Sequence, residues 1–473
     1  MEHLEPLFGR DDRGEDRVLE EVRRFEEMLQ RGDFTYMDLM TLEEIYFYYL
    51  QHQKFPQALD LVNFGLRQYP RTEELYFKRA AVFMETGRLE EAERDLERAL
   101  ESNPKQMEYI FLKAEILSRA GHHERAMELL NNTEIEKEFK EDLLFQMGSI
   151  AMGAGRLGEA EKYYRAVLQA KPDNEEAIHE LAFLLESRNL IIEAVQLYTN
   201  FLDKSPFSAP VWYNLGILYD KLGLYEKAID AYDFALAIDD TFASAWYNKG
   251  NSFLELEKYN EALKCFLEAS IHEKPDLALN YNIAECYEQL ADLRMASKYY
   301  HKCTAASPEY VDAWMGLAFC MESQARHLEA IHYYEKALYY DPDNYEGWAA
   351  KAACEYKMGN AVSAYEGLEQ ALKINSSDLK LWQEWGELLQ QEDNGKGAIS
   401  FLREGIRLNP KMSELYYQIA AYCFQNKEYE NGLTYLENGL LVDPSKHSIL
   451  FDIFADLKQV PAVRDLIHQY TIA

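Results

Sequence analysis

The sequence is written in a period of 34 residues. Alanine recurs at Ala58, Ala92, Ala126, Ala160, Ala194, Ala228, Ala262, Ala296, Ala330, Ala364 and Ala398 with no slip in register, and Gly432 takes the twelfth place. Proline keeps the same interval at Pro70, Pro104, Pro172, Pro206, Pro308, Pro342, Pro410 and Pro444. A fixed period of this length marks a repeat architecture, in which one small unit is copied and stacked. It constrains the fold more than composition does, because each unit can bury its faces only on its neighbours.

Residues 209–242 show what the unit is. Trp212, Leu215, Gly216 and Tyr219 fall at i, i+3, i+4 and i+7, the apolar face of a helix. Gly223 supplies a left-handed helix end that has no Cβ to clash. Tyr225, Ala228, Ile229, Tyr232 and Ala235 give a second apolar face. Proline then stops the chain, and a following Asp or Asn can cap the next helix, as in Pro172–Asn174 and Pro342–Asn344. The unit is helix, turn, helix, break. Gly216 and Ala228 let its helices approach to the short end of the usual ~8–10 Å range, where a larger side chain would hold them apart.

Units start at Leu39, Glu73, Met107, Glu141, Glu175, Ala209, Ala243, Leu277, Val311, Tyr345, Leu379 and Ser413. The third is the weakest copy: Thr133 replaces an alanine and no proline follows, which predicts an irregularity between Asn131 and Lys140. Three domains are expected. Residues 1–38 hold a polar segment and a capping helix marked by Val18, Val22, Phe25, Met28 and Leu29; residues 39–446 hold twelve units; residues 447–473 form a C-terminal capping hairpin. About the first sixteen residues are polar and expected to be mobile.

The pattern W-x2-L-G-x2-Y, then Ala, an aromatic residue, Ala and Pro, resembles the tetratricopeptide repeat (TPR). It reads Trp212, Leu215, Gly216, Tyr219, Ala228, Tyr232, Ala235, and in the next copy Trp246, Gly250, Phe253, Ala262, Phe266, Ala269, with Lys249 where leucine is usual. The resemblance covers about Leu39 to Pro444. It implies an all-α solenoid coiled into a right-handed superhelix, with first helices lining a concave groove that holds peptides or extended segments.

Nearly half of the 473 residues are apolar, enough to bury a core, but no run reaches the ~18 that a membrane span needs. The N-terminus has neither a basic nor an apolar leader region, so no signal peptide and a cytoplasmic location are expected. The net charge of −33 is spread along the chain. It argues against nucleic acid, whose affinity comes from Lys and Arg on phosphates, and fits a solubilising surface or a basic partner.

Cys286, Cys320 and Cys354 share one register position, filled elsewhere mostly by buried apolar residues. Stacked equivalents are too far apart for a disulfide, which predicts free thiols. His122–His123 is the one histidine cluster and lacks further metal ligands, so it reads as a solvated turn. Gly395–Lys396–Gly397 has Gln390 where a phosphate-binding loop needs glycine and Gly397 where it needs Ser or Thr, so it reads as a repeat turn. No cofactor, metal or catalytic motif is expected, and the repeats leave no room for a catalytic domain.

In TPR proteins the groove is lined by the second, fifth, sixth, ninth, twelfth and thirteenth residues of each unit. The resemblance places Tyr213–Asn214, Tyr247–Asn248 and Tyr281–Asn282 at the fifth and sixth of three successive units, with Asn251 and Glu285 at the ninth. An asparagine amide offers donors and an acceptor to a peptide backbone of any sequence, or it serves local structure only. Asp220, Glu255, Glu285, Glu288, Asp312, Glu322 and Glu346, against Lys221, favour a basic or neutral ligand. The carboxylate clamp of chaperone-adaptor TPRs is absent, since Tyr247, Asp312 and Gly316 replace its Lys, Lys and Arg. The expected function is a non-catalytic scaffold that binds a protein or peptide in the groove, through Tyr213, Asn214, Tyr247, Asn248, Asn251, Tyr281, Asn282 and Glu285. The alternative is an assembly or regulatory subunit docking through its ends or convex face, with Ile449, Leu450, Ile453, Phe454 and Leu466 as the candidate surface. The sequence leaves the oligomeric state open.

Overall fold

Most copies of the period close as two helices of 13 and 14 residues, as in Ala209–Lys221 with Tyr225–Ile238 and Val311–Ser323 with His327–Tyr340. The structure, a computed structural model, describes residues 12–32, 35–134, 136–391 and 395–471, with side chains from residue 17 onward. Twelve helix pairs lie between Leu39 and Val442, and the described residues contain no strand. The chain is an all-α solenoid of stacked hairpins.

The turn inside each hairpin has one geometry. Its fifteenth residue has positive φ in all eleven repeats where it is described: Gln53, Gly87, Gly121, Gly155, Asn189, Gly223, Glu257, Ala291, Ala325, Gly359 and Lys427. The next amide then reaches back five residues to close the helix end, as Leu224 does to the Tyr219 carbonyl at 2.9 Å and Asp292 to that of Tyr287 at 2.9 Å. Glycine is the cheap residue for this backbone, yet six of the eleven are not glycine. The packing of the two helices therefore imposes the turn even where the local residue opposes it. In the eleventh repeat the turn residues 392–394 lie outside the described residues, and Gly395–Lys396 open the following helix.

Small residues close the hairpins. All eleven alanines of the periodic series are fully buried. A Cβ on Gly216 would stand 2.5 Å from the Tyr232 ring, and one on Gly250 2.6 Å from that of Phe266, so each glycine is a seat for a second-helix ring. The breaks have a fastener of their own. Trp212 Nε1 donates to the Pro206 carbonyl at 2.8 Å, Trp314 to Pro308 at 2.7 Å, Trp348 to Pro342 at 2.9 Å and Trp382 to Ser376 at 2.9 Å. Tyr76 and Tyr416 make the same six-residue reach with their hydroxyls, to Pro70 and Pro410.

The third hairpin is irregular where the sequence departs from the pattern. Its second helix, His123–Asn131, has only 9 residues, and a single 3-10 turn, Lys137–Phe139, precedes the fourth repeat. His123 Nδ1 lies 3.0 Å from Ser118 Oγ at the hairpin turn.

The chain divides into two compact units, Met1–Asp240 and Thr241–Ala473, and the division falls between the sixth and seventh repeats. In the first unit the helix Asp12–Arg31 buries Val22, Phe25 and Met28 against the first hairpin, and Arg17 pairs with Glu44. Residues 1–11, on which most of the expected mobile segment falls, lie outside the described residues. In the second unit the helices Ser448–Ile453 and Pro461–Thr471 pack on the last hairpin. This corrects one expectation. Leu450 is fully buried, and Ile449, Ile453, Phe454 and Leu466 are half-buried in the same cluster, so the apolar residues suggested as a docking end are used by the cap itself.

All six cysteines are buried and unbridged. Burial pushes the thiols of Cys286 and Cys354 up to about 12 and that of Cys320 up to about 11.

Candidate functional site

The fifth residue of each central repeat is turned toward its own hairpin. Tyr213 packs on Tyr232 with ring centroids 5.9 Å apart, Tyr247 on Phe266 at 5.6 Å and Tyr281 on Tyr300 at 5.7 Å. Phe145 and His179 make the same pair with Tyr164 and Tyr198 in earlier repeats. These tyrosines are half-buried, and much of the ring surface expected to face a ligand is spent inside the hairpin. Burial, reinforced by Glu285 and Asp312, holds the Tyr281 hydroxyl above its ordinary range.

The sixth residue points to the preceding repeat. In the second unit Asn282 Nδ2 donates to Asn251 Oδ1 at 3.1 Å and to the Tyr247 hydroxyl at 3.2 Å. In the first unit Asn214 Nδ2 and the Tyr198 hydroxyl meet His179 Nδ1 at 3.0 and 3.2 Å. Asn248 is half-buried. Asn282 and Asn214 are therefore ties between repeats. Only part of the Asn282 amide is consumed, because its Oδ1 makes no hydrogen bond among the described residues. The sequence signal for these ties was the separation itself. A residue at the sixth place meets the fifth and ninth places one repeat earlier, 35 and 31 residues back.

Several acids read from the sequence as groove charge are occupied. The Tyr232 hydroxyl donates to Asp220 at 2.6 Å, Tyr300 to Glu288 at 2.9 Å and Tyr334 to Glu322 at 2.9 Å. Lys357 also pairs with Glu322 at 3.1 Å, and Lys221 pairs with Glu186. Glu285 differs. It is half-buried and has no ionic or hydrogen-bond partner among the described residues, and burial holds its carboxyl above the usual range. Burial raises Glu288 as well, and the nearby Glu285 charge adds to this against the opposing Tyr300 bond.

The structure thus gathers Tyr247, Asn251, Tyr281, Asn282 and Glu285 on the first helices of the seventh and eighth repeats, Ala243–Glu255 and Leu277–Gln289. Tyr213 and Asn214 belong to the other unit. The second-unit group offers an oriented amide acceptor and an unpaired carboxylate, both suited to N–H donors. No group of three or more His, Cys, Asp or Glu among the described residues is placed to hold a metal ion. No helix among them is long and apolar enough to cross a membrane.

Models of the tetratricopeptide repeat match residues 73–106, 141–174, 209–242, 243–270, 277–310 and 311–344. No curated protein matches the chain. Among solved structures, the chain is similar to YrrB, described as a TPR protein with an unusual peptide-binding site, at 21% identity over 40% of this chain and 96% of that one, with a TM-score of 0.36. It is also similar to the APC/C hetero-tetramer Cut9–Hcn1, at 14% identity over 92% of this chain and 97% of that one, with a TM-score of 0.37. A third is a tetratricopeptide repeat protein from Parabacteroides merdae, at 17% identity over 53% and 97%, with a TM-score of 0.37. These are likenesses of fold alone. The period, the hairpin geometry and the repeat models agree: the chain belongs to the tetratricopeptide-repeat proteins, with about twelve repeats forming a scaffold for protein–protein interaction.

Proposed function

We propose that this scaffold is non-catalytic and that its first-helix face holds an extended, neutral or basic segment of a partner polypeptide. The observation that supports this is Asn282. Its Nδ2 donates two bonds to the preceding repeat, which fix the amide and leave its Oδ1 as an oriented acceptor for a backbone N–H. Glu285, one turn along the same helix and unpaired among the described residues, adds a preference for a cationic side chain. Tyr247, Asn248, Asn251 and Tyr281 of the same unit supply flanking contact; Tyr213 and Asn214 are the equivalent residues of the other unit. Orientation before binding lowers the entropy lost on association, so a tied asparagine is a better acceptor than a free one.

Affinity capture from a lysate tests the reading. Wild type is compared with Glu285→Gln and with a variant carrying Asn214→Ala, Asn248→Ala and Asn282→Ala, each first shown to melt like a folded array. Loss of a partner from the triple variant, with weaker retention by Glu285→Gln, is the expected result. An unchanged partner list in both removes this face from the function.

A further inference from the structure

A second feature lies between the fifth and sixth repeats, within the first unit. In two other repeats the tryptophan at the fourth place is covered by a ring at the twenty-third place of its own hairpin. Trp314 stacks on Tyr333 with centroids 6.0 Å apart, and Trp382 lies 4.7 Å from Phe401. The sixth repeat has Trp212 at the fourth place, but its twenty-third residue is the buried Ala231. Trp212 and Ala231 both line an open depression of about 300 Å³. The small residue leaves space that a ring fills elsewhere.

The floor of the depression is apolar, since Leu202, Leu215 and Ala231 are buried. Phe234 stacks on Trp212 at 4.4 Å and forms a wall, yet it is 54% exposed. An aromatic ring left in water beside an open apolar space is surface that a partner can bury. The rim is charged. The carboxylates of Asp203 and Asp230 are exposed and have no ionic or hydrogen-bond partner among the described residues. Asp203 also caps the C-terminal end of Ile191–Leu202, where the helix carbonyls already carry partial negative charge. Lys227 is the one cation lining the depression, and its ammonium sits 5.7 Å from the centre of the Tyr219 ring. It pairs with neither aspartate, so the rim keeps a net negative charge.

We propose that this depression is a docking site for an aromatic side chain of a partner polypeptide that carries a cationic residue beside it. A cavity of about 150 Å³ is enough to take up benzene, so the space admits one benzyl group and part of the backbone that bears it. The incoming ring packs against Phe234 and over Ala231, in the role that Tyr333 and Phe401 play within their own hairpins. An aromatic anchor in an apolar pocket is the usual centre of a protein–protein contact. The neighbouring cation meets Asp203 and Asp230, which sets the sign of the partner's charge. Neither Tyr213 nor Asn214 lines the depression, and it lies in a different unit from Asn282. The site is thus a second interaction surface and does not depend on the reading given for the Asn282 face.

The test uses the full chain with fluorotryptophan in place of its six tryptophans. Fluorine NMR reads each indole, and Trp212→Phe assigns the signal of Trp212. The probes are acetylated, amidated dipeptides: Phe-Arg, Ala-Arg and Phe-Glu. Salt is held near 150 mM, which screens exposed charges beyond about 8 Å. Phe-Arg is expected to shift the Trp212 signal saturably, with a dissociation constant of about 1 mM or tighter, and the other two to bind at least about fivefold more weakly. Ala231→Phe supplies the ring from within. It is expected to abolish the shift while its melting temperature stays at or above wild type, because the ring enters existing space. Phe234→Ala removes an exposed wall and is expected to weaken Phe-Arg several-fold. Asp203→Asn with Asp230→Asn is expected to bring Phe-Arg and Phe-Glu to equal affinity. A Trp212 signal that Phe-Arg leaves in place overturns the site, as does an equal shift by Ala-Arg. A shift that persists in both Ala231→Phe and Phe234→Ala places the probe elsewhere and overturns it too. A preference for Phe-Arg that survives loss of both aspartates comes from the acidity of the whole chain and overturns the choice of a cationic partner.

Discussion

The side-chain amide of Asn282 donates to Asn251 Oδ1 at 3.1 Å and so ties the first helix of the eighth repeat to that of the seventh. A double-mutant cycle measures this tie. Asn282→Ala and Asn251→Ala are each expected to lower stability by about 1 kcal/mol, with a coupling of roughly 0.5–1 kcal/mol. Urea unfolding of the four proteins gives the coupling. A value indistinguishable from zero removes the bond from the account of how repeats are joined.

Two glycines should respond oppositely to alanine. Gly250→Ala drives a methyl to 2.6 Å from the Phe266 ring and should cost about 1–3 kcal/mol. Gly158→Ala meets nothing within 4 Å and lies inside the helix Leu157–Ala170, so helix propensity predicts a gain of up to about 1 kcal/mol. Thermal melts of the two single variants check the contrast, and equal shifts would contradict the packing role given to Gly250.

Ala291 and Ala325 sit at the hairpin turn with φ of 60° and 57°. Alanine is strained there by about 1–2 kcal/mol, and glycine relieves this while giving back part of it as unfolded-state entropy. Ala291→Gly and Ala325→Gly should each stabilise by roughly 0.5–1 kcal/mol. Denaturation midpoints lower than wild type would mean that the methyl groups make contacts worth more than the strain.

Glu285 predicts a pH dependence. Its folded carboxyl is held above the ordinary range by burial, so the folded state binds that proton more tightly than the unfolded chain does. The resulting stability is complete below the ordinary carboxylate range and is lost as pH rises through the raised value. Glu285→Gln should therefore melt above wild type at pH near 8 and match it at pH near 4, where both side chains are neutral. Calorimetry at the two pH values reads this out, and an equal gain at both would point to packing rather than charge.

Cys286, Cys320 and Cys354 are fully buried, with thiols pushed up to about 12, 11 and 12. A thiol reagent should label them in the native protein only at the rate of local opening. Prompt labelling without denaturant would contradict their burial.

The helix pairs were legible in the sequence because packing repeats with the period. Ala228 and Gly216 could be read as close-contact residues from their place on an apolar face, and both are buried. The shortened helix after His123 was legible for the converse reason, since the pattern fails there. The turns were only half legible. Gly223 announced a left-handed residue, but Glu257 and Lys427 adopt the same backbone under tertiary constraint, which leaves no mark in residue type. Least legible were the polar partnerships. Asp220 and Glu288 read as free charges until their tyrosines were placed, because a hydrogen bond across a hairpin depends on distances that spacing alone does not give.

The tryptophans that fasten several of the breaks have a consequence for how such a chain can change. Trp314 and Trp348 fasten to the carbonyls of Pro308 and Pro342, each six residues back. If residues 309–342 were excised whole, Trp348 would stand six residues after Pro308 and find the same carbonyl waiting. Duplication of that stretch would create a matching fastener at the new junction. The array can therefore be lengthened or shortened one notch at a time with no new bonding invented, and its reach can vary between related chains without the joint changing at all.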